Sequence, residues 1–357
     1  MDKELAHLRE KIDSIDDQLI ALLNQRMELV RAVGRLKRTN RSIIYRPERE
    51  QAILERLKAN NKGLLMPQAI DSIFLEIFAV SRNFELPERI AYLGPEGSFT
   101  HQAAESRFGS IADYLSLPTI QEVFESVGTE RVRFGVLPIE NNQEGTVNET
   151  FEGLYNNNIK IVAEVPMPIH FTFASAEDRL PHIEKVYSKD IAFRQCKKFL
   201  QSYFEHQKVE LIPVESTSKA ALLASKELNS AAICSPIAAR IHQLPILFNN
   251  IEDSDFNRTR FLVISKDFKL PMSKGCKTSI IAKVADQAGA LASFLQDFYQ
   301  ANINLCKIDS RPAKEQDGFK YWFWIEFDGH EDEPAVQNIL ARHAHVVRCL
   351  GSYIKLC

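Results

Sequence analysis

Apolar side chains recur at heptad spacing through the first segment of the chain. Leu5, Ile12, Leu19 and Val33 hold one position of the repeat, with Arg26 among them, and Leu8, Ile15, Leu22, Leu29 and Leu36 hold the other. No proline occurs before Pro47. The spacing therefore predicts one helix from about residue 3 to 38, roughly 54 Å long at 1.5 Å per residue. Pro47 is placed to start a second helix, which Gly63 ends. Pro67 starts a third, with Ile70, Ile73, Phe74, Ile77 and Phe78 as its stripe. Residues 1–86 thus read as an all-α domain. The long helix has too little chain folding back to cover its seam, so a homodimer or higher homo-oligomer is expected.

The period then changes. Between residues 88 and 266, β-type runs at 89–94, 134–140, 159–165, 170–175, 185–188, 231–235 and 260–265 alternate with helical stretches such as 100–108 and 192–204. Such alternation indicates α/β with a largely parallel sheet, and two groups of strands suggest two lobes and a cleft. From residue 277 to 355 the order is strand, helix, strand, strand, helix, strand, the split βαβ or ferredoxin-like α+β unit. Residues 271–277 form the expected linker.

Composition narrows the function classes. The 357 residues suit two or three domains, and 44 basic against 47 acidic residues give −3. No global field recruits nucleic acid or membrane. No apolar run approaches the ~18 residues needed to span a bilayer. The six cysteines are scattered without a CxxC pair, which argues for the cytoplasm and against zinc. Neither HExxH nor GxGxxG appears, so no metal or cofactor is expected.

Candidate chemistry begins at Arg26. A guanidinium in an apolar seam costs several kcal/mol unless an anion answers it. A carboxylate from a neighbouring helix, or a side chain that snorkels out, would also satisfy it. Its surroundings are cationic: Arg31, Arg35, Lys37, Arg38, Arg41, Arg46 and Arg49 follow, against Glu28 and Glu48. Lys37 lies about 20° from the face of Arg26 and ~16 Å along the helix, so the two can converge on one small anion. Arg9 is ~25 Å away and roughly 100° round, so it would have to come from a partner chain.

This segment resembles the all-helical chorismate mutase family, on residues 8–37 followed by 45–57. The resemblance assigns cationic roles to Arg9, Arg26, Lys37 and Arg49. It puts the ring-hydroxyl carboxylate at Glu50 and a late-helix pair at Ser81 and Glu85. Arg46 stands where Asp is common and is assigned to substrate. The rearrangement of chorismate to prephenate is pericyclic and needs no nucleophile. Arginines would clamp the dianion in a compact conformer, and Lys37 and a donor at 85 would stabilise charge developing on the ether oxygen. A carboxylate at 85, where the family often has Gln, can donate only when protonated.

In the α/β segment, Gly94-Pro95-Glu96-Gly97 precedes a helix start with Ser98 and Thr100, a geometry suited to an anion or to a plain N-cap. Glu140, Asn141 and Asn142 follow a buried strand, where α/β ligands bind. Together with 187–196, 215–221 and Thr259-Arg260-Phe261, these motifs resemble the prephenate dehydratase family over nearly all of residues 89–265. The resemblance implies two periplasmic-binding-protein-like lobes with the site in the cleft. It assigns Ser98, Thr100, Glu140, Asn141, Ser188, Gln195 and Arg260 to substrate and Thr259 to the departing hydroxyl. Lys189 stands where His is often found. Residues 277–355 resemble an ACT domain of the phenylalanine-binding kind. Gly289-Ala290-Leu291 and Asp309-Ser310-Arg311 are its regulatory motifs, and Asp309 replaces the usual Glu.

The three resemblances imply an enzyme that takes chorismate to prephenate and prephenate to phenylpyruvate, with loss of water and CO2, under feedback by phenylalanine. A ligand-sensing protein built from the cleft and the ACT unit is the non-enzymatic alternative. It would need neither Thr259 nor the Arg26/Lys37 pair.

Overall fold

The computed structural model describes residues 2–39, 47–85, 89–205, 207–254, 256–312 and 321–356. The chain divides into two compact units, residues 1–88 with 108–113, and residues 89–107 with 114–357.

The first unit contains α1 (Asp2–Thr39), α2 (Pro47–Asn60) and α3 (Pro67–Glu85). Both α1 and α2 pack on α3, whose Ile70, Phe78 and Ala79 are buried. The starts of α2 and α3 follow the proline signals, and α2 ends at Asn60, ahead of Gly63. The heptad residues of α1 do not find cover among the described residues: Leu5, Leu8, Ile12, Ile15, Leu19, Leu22, Leu29, Val33 and Leu36 are each 43–69% exposed.

The second unit holds three sheets. Its first lobe runs β1 (Arg89–Leu93), α4 (Phe99–Phe108), β2 (Asp113–Leu117), α5 (Ile120–Gly128), β3 (Phe134–Asn141), β4 (Gly145–Thr146), α6 (Asn148–Asn156) and β5 (Lys160–Pro168). The second lobe runs β6 (Thr172–Ser175), β7 (Lys185–Ser188), α7 (Asp190–Gln195), α8 (Lys197–Phe204), β8 (Glu210–Pro213), α9 (Thr217–Ala224), β9 (Ser230–Cys234), α10 (Pro236–Ile241) and β10 (Ile246–Phe248). Strand β11 (Arg258–Ser265) then returns to the first sheet, giving the order β2-β1-β3-β11-β5, with β4 on β3. The second sheet is ordered β10-β6-β9-β7-β8.

The sheets are mixed rather than largely parallel. β11 is antiparallel to both β3 and β5, and β6 is antiparallel to β9 and β10. The cause is the double crossing between lobes, which brings β11 back in the opposite sense. The expected helix over 192–204 breaks at Cys196, whose backbone (φ −117, ψ 28) leaves the helical region. Strands β2, β8 and β10, absent from the β-type runs of the sequence, are all sheet edges.

The ACT segment has the expected order: β12 (Cys276–Ala282), α11 (Ala290–Gln300), β13 (Leu305–Pro312), β14 (Tyr321–Asp328), α12 (Pro334–Arg342) and β15 (Val347–Ile354). Successive side chains of its strands face opposite ways. Ile280, Ile325 and Phe327 pack under α11 and α12. Ile281, Trp322, Trp324 and Tyr353 join the core of the first lobe, against Phe151, Leu154 and Ile161. Trp322 stacks on Tyr155 with ring centroids 3.5 Å apart. Dehydratase and ACT segments therefore share one continuous core.

Candidate active sites

The dehydratase residues meet where the chain passes between lobes. Main-chain bonds from Ile169 to Asn257 and from Ile251 to Phe171 tie the two passages together. Glu252 clamps them, taking His170 Nδ1 at 2.5 Å and the Phe171 N–H at 2.9 Å. Beside this hinge, Asn141 at the end of β3 pairs across the ladder with Thr259 on β11.

Asn141 Nδ2 donates to Thr259 Oγ1 at 2.8 Å and to Asn257 Oδ1 at 3.0 Å. Asn257 donates to Gln195 Oε1 at 3.1 Å, and Gln195 donates to Gln143 Oε1 at 2.7 Å. Asn141 Oδ1 accepts the N–H groups of Gln143 and Glu144, an Asx turn that fixes its rotamer. An amide N–H can only donate, so Thr259 Oγ1 is the acceptor and its own proton remains for another acceptor. The cluster is uncharged, and it can bind and position polar groups without a titration of its own. Asn257 and Gln143 were missed in the sequence. Asn257 immediately precedes the Arg258-Thr259-Arg260 run and is buried, the one local signal that could have singled it out.

The structure does not bring Glu140 and Arg260 into this cluster. They lie one residue from Asn141 and Thr259, so period-two alternation turns them to the other face of the sheet. Arg260 Nη1 lies 2.9 and 2.8 Å from the Glu326 oxygens of β14 and 3.3 Å from Glu164. Lys277 Nζ is 2.7 Å from Glu164 and 3.2 Å from Glu326. Burial works against the Arg260 charge, but Glu326 and its neighbours outweigh that and raise its pKa. Burial likewise opposes the Glu326 charge, yet Arg260 and Lys277 hold its pKa below the usual 4.5. Glu140 is ion-paired with Lys307 and lies 3.2 Å from Arg260 Nε.

Ser188 is also placed structurally. It is buried, and its hydroxyl donates to the Ile233 carbonyl at 2.7 Å. Ser98 caps α4, accepting from the His101 N–H at 3.2 Å and donating to the Leu93 carbonyl at 3.1 Å. Thr100 is buried beside it. Gly97 N–H donates to His101 Nδ1 at 3.2 Å, which requires that nitrogen to be unprotonated. The His101 ring stacks on Tyr92, centroids 4.6 Å apart, and burial lowers its pKa. Gly97 has φ +82 and packs on Ser218 and Ala238 of the second lobe, while Ser235 Oγ donates to its carbonyl at 2.5 Å. Ser216 caps α9, its hydroxyl accepting from the Lys219 N–H at 3.0 Å.

In the helical unit, Arg26 donates to Ser81 Oγ and lies 5.8 Å over the Phe78 ring. Glu50 is ion-paired with Arg82. Arg9 and Arg49 are exposed. Arg46 and the side chains of Lys37 and Glu85 lie outside the described residues. In the ACT segment, Gly289 adopts φ +83 before α11. Leu291 lines a pocket of about 450 Å³ with Lys283, Val284, Tyr321, Phe323 and Val346. Ser310 is exposed on edge strand β13. Asp309 Oδ2 accepts from Thr146 at 3.0 Å and from Arg311 at 2.9 Å. Among the described residues no group of three or more His, Cys, Asp or Glu could hold a metal ion. No helix there is long and apolar enough to cross a membrane.

Fold and site define the class: a two-lobed α/β dehydratase with an ACT segment in its core, preceded by a helical mutase unit. Comparison with known proteins agrees segment by segment. Residues 8–86 match chorismate mutase type II, residues 90–269 prephenate dehydratase and residues 278–345 the ACT domain. The bifunctional chorismate mutase/prephenate dehydratase of Aquifex aeolicus (strain VF5) is 39% identical over 360 residues, covering 99% of this chain and 98% of its own length. That of Pseudomonas aeruginosa PAO1 is 36% identical with the same coverage of both chains. The prephenate dehydratase of Arthrobacter aurescens, solved in complex with L-Phe, superposes with a TM-score of 0.67 at 28% identity, over 75% of this chain and 90% of that one. That of Staphylococcus aureus Mu50 gives 0.60 at 26% identity, over 74% and 99%. The chain belongs to the bifunctional chorismate mutase/prephenate dehydratase family, with both activities on one polypeptide.

Proposed function

We propose that the chain makes phenylpyruvate from chorismate in phenylalanine biosynthesis in the cytoplasm, with phenylalanine as feedback inhibitor. The observation that carries the dehydratase assignment is the Thr259–Asn141–Asn257–Gln195 network at the interlobe hinge. Prephenate binds there, and the Thr259 hydroxyl donates to the ring hydroxyl as it departs with CO2. A threonine is a weak acid, so it positions or relays that proton rather than ionising. Ser98 and Thr100 at the start of α4 face the substrate carboxylate.

The mutase assignment rests on Arg26 beside Ser81. Arg26, with Lys37, Arg49 and Glu50, binds the chorismate dianion, and Arg9 comes from the partner copy. The bare heptad seam of α1 supports that dimer. The cavity beside Gly289-Ala290-Leu291, and the L-Phe bound to the Arthrobacter relative, support phenylalanine as effector.

The test is phenylpyruvate formation from chorismate by the purified chain, with and without phenylalanine. Thr259→Ala should abolish prephenate dehydration and leave chorismate consumption intact. Arg26→Ala should do the reverse. Loss of both activities in either folded variant would refute separate sites.

A further inference from the structure

The strand pair carrying the dehydratase residues is two-sided. Thr259 and Asn141 meet on one face, and the next rung, Arg260 and Glu140, faces the ACT sheet. The β3–β11 ladder slips between Arg260 and Phe261, directly behind that rung. Bulges of this kind re-aim neighbouring side chains. The placement of Asn141 and Thr259 is therefore sensitive to what holds Glu140 and Arg260.

Two kinds of contact do the holding. Arg260, Glu326, Glu164 and Lys277 have side chains no more than 5% exposed and form a charge-balanced quartet, whose Arg260 Nε also lies 3.2 Å from Glu140. The second kind lies at the rim. Lys307 of β13 pairs with Glu140, at side-chain exposures of 21% and 32%. Asp309, two residues along β13, accepts from Thr146, which pairs with Glu140 in the β3–β4 ladder. Both rim contacts thus run from one edge strand, which also carries a regulatory motif, to the residues flanking Asn141. Partly exposed pairs can separate with water reaching both partners, which the quartet cannot do.

We propose that Glu140 and Thr146 are positioning residues through which β13 sets the dehydratase pair. Lys307–Glu140 and Asp309–Thr146 hold Asn141 against Thr259. An effector in the ACT segment inhibits by favouring a state in which β13 has let go. This rests on the reading of phenylalanine as inhibitor, and it adds the route.

The test uses the full chain with Glu140→Gln, Thr146→Val and Lys307→Met, and the fluorescence of Trp322 and Trp324 in the same unit as the control for folding. Each variant should lower dehydratase kcat by about tenfold with KM for prephenate nearly unchanged, the pattern of lost positioning. Thr146→Ser and Lys307→Arg should restore most of it. Linkage adds a sharper readout. If phenylalanine prefers the released state, removing the contacts must tighten its binding, by up to about the 5–150-fold range of such couplings, while leaving less activity to inhibit. Weaker phenylalanine binding measured by calorimetry, or unchanged kcat with full inhibition, would overturn the proposal. A wild-type chain that neither binds phenylalanine nor responds to it would overturn the inhibitor reading itself, and the proposed route with it.

Discussion

Arg260→Met is the most informative single perturbation of the second unit. The native quartet has two cations and two carboxylates, with Glu164 fully buried and Glu326 nearly so. Methionine fills much of the volume but removes one of the two buried cations that the two acids share, leaving Lys277. Breaking a buried pair by removing one partner costs about 3–5 kcal/mol. Adding Glu326→Leu removes the surplus charge. Lys277 then keeps Glu164 at 2.7 Å, and the Ser279 and Tyr353 hydroxyls keep each other at 2.7 Å. The double variant should therefore cost about 2–3 kcal/mol less than the sum of the singles. Denaturant titration read by tryptophan fluorescence reports this region, because both tryptophans, Trp322 and Trp324, are on β14 and Arg260 stacks 5.2 Å over Trp324. The sign with pH is fixed. Glu326 has a depressed folded pKa, so the network contributes fully above 4.5 and less as pH falls through the folded value. The gap between wild type and Arg260→Met should narrow in that acid window. A single-variant cost below about 1 kcal/mol, or simple additivity of the two substitutions, would refute the reasoning.

Other perturbations have equally definite outcomes. Gly97→Ala would put a Cβ 2.7 Å from Ser218 Oγ and 3.1 Å from the Ala238 backbone at φ +82. It should destabilise the unit by about 1–3 kcal/mol and raise KM for prephenate, checked by thermal melting and steady-state kinetics. Burial lowers the His101 pKa, so the stability it contributes is complete above 6.5 and is lost as pH falls through its folded value. His101→Phe keeps the stack on Tyr92 and should flatten that part of the stability–pH curve. A mixture of Arg9→Ala and Arg26→Ala chains should recover part of the mutase activity after subunit exchange, because a hybrid dimer contains one intact site. Recovery that fails after exchange is verified by native mass spectrometry would exclude the shared site.

The helical and ACT segments were legible because their apolar positions follow one local period each. A 3.5-residue seam, prolines at helix starts and strand–helix alternation are properties of neighbouring residues. The short strands that failed as signals, β8 and β10 among them, lie at sheet edges. An edge strand buries little, as the mostly exposed Glu210–Pro213 shows, so it carries no apolar run to read. The same limit governs the sites. The sequence placed Asn141 and Thr259 in a site, and the cross-strand rung puts them in contact. It also placed Glu140 and Arg260 there. Alternation alone says that they point the other way, but not which face meets the cleft and which meets another sheet. That was decided by the docking of β14 on the first lobe, with Glu326 arriving from 66 residues along the chain. Burial of a charge is a property of what covers it, and the cover was supplied by a different segment. For the same reason the sequence marked the apolar seam of α1, while the tertiary structure revealed that the rest of the described chain leaves it bare.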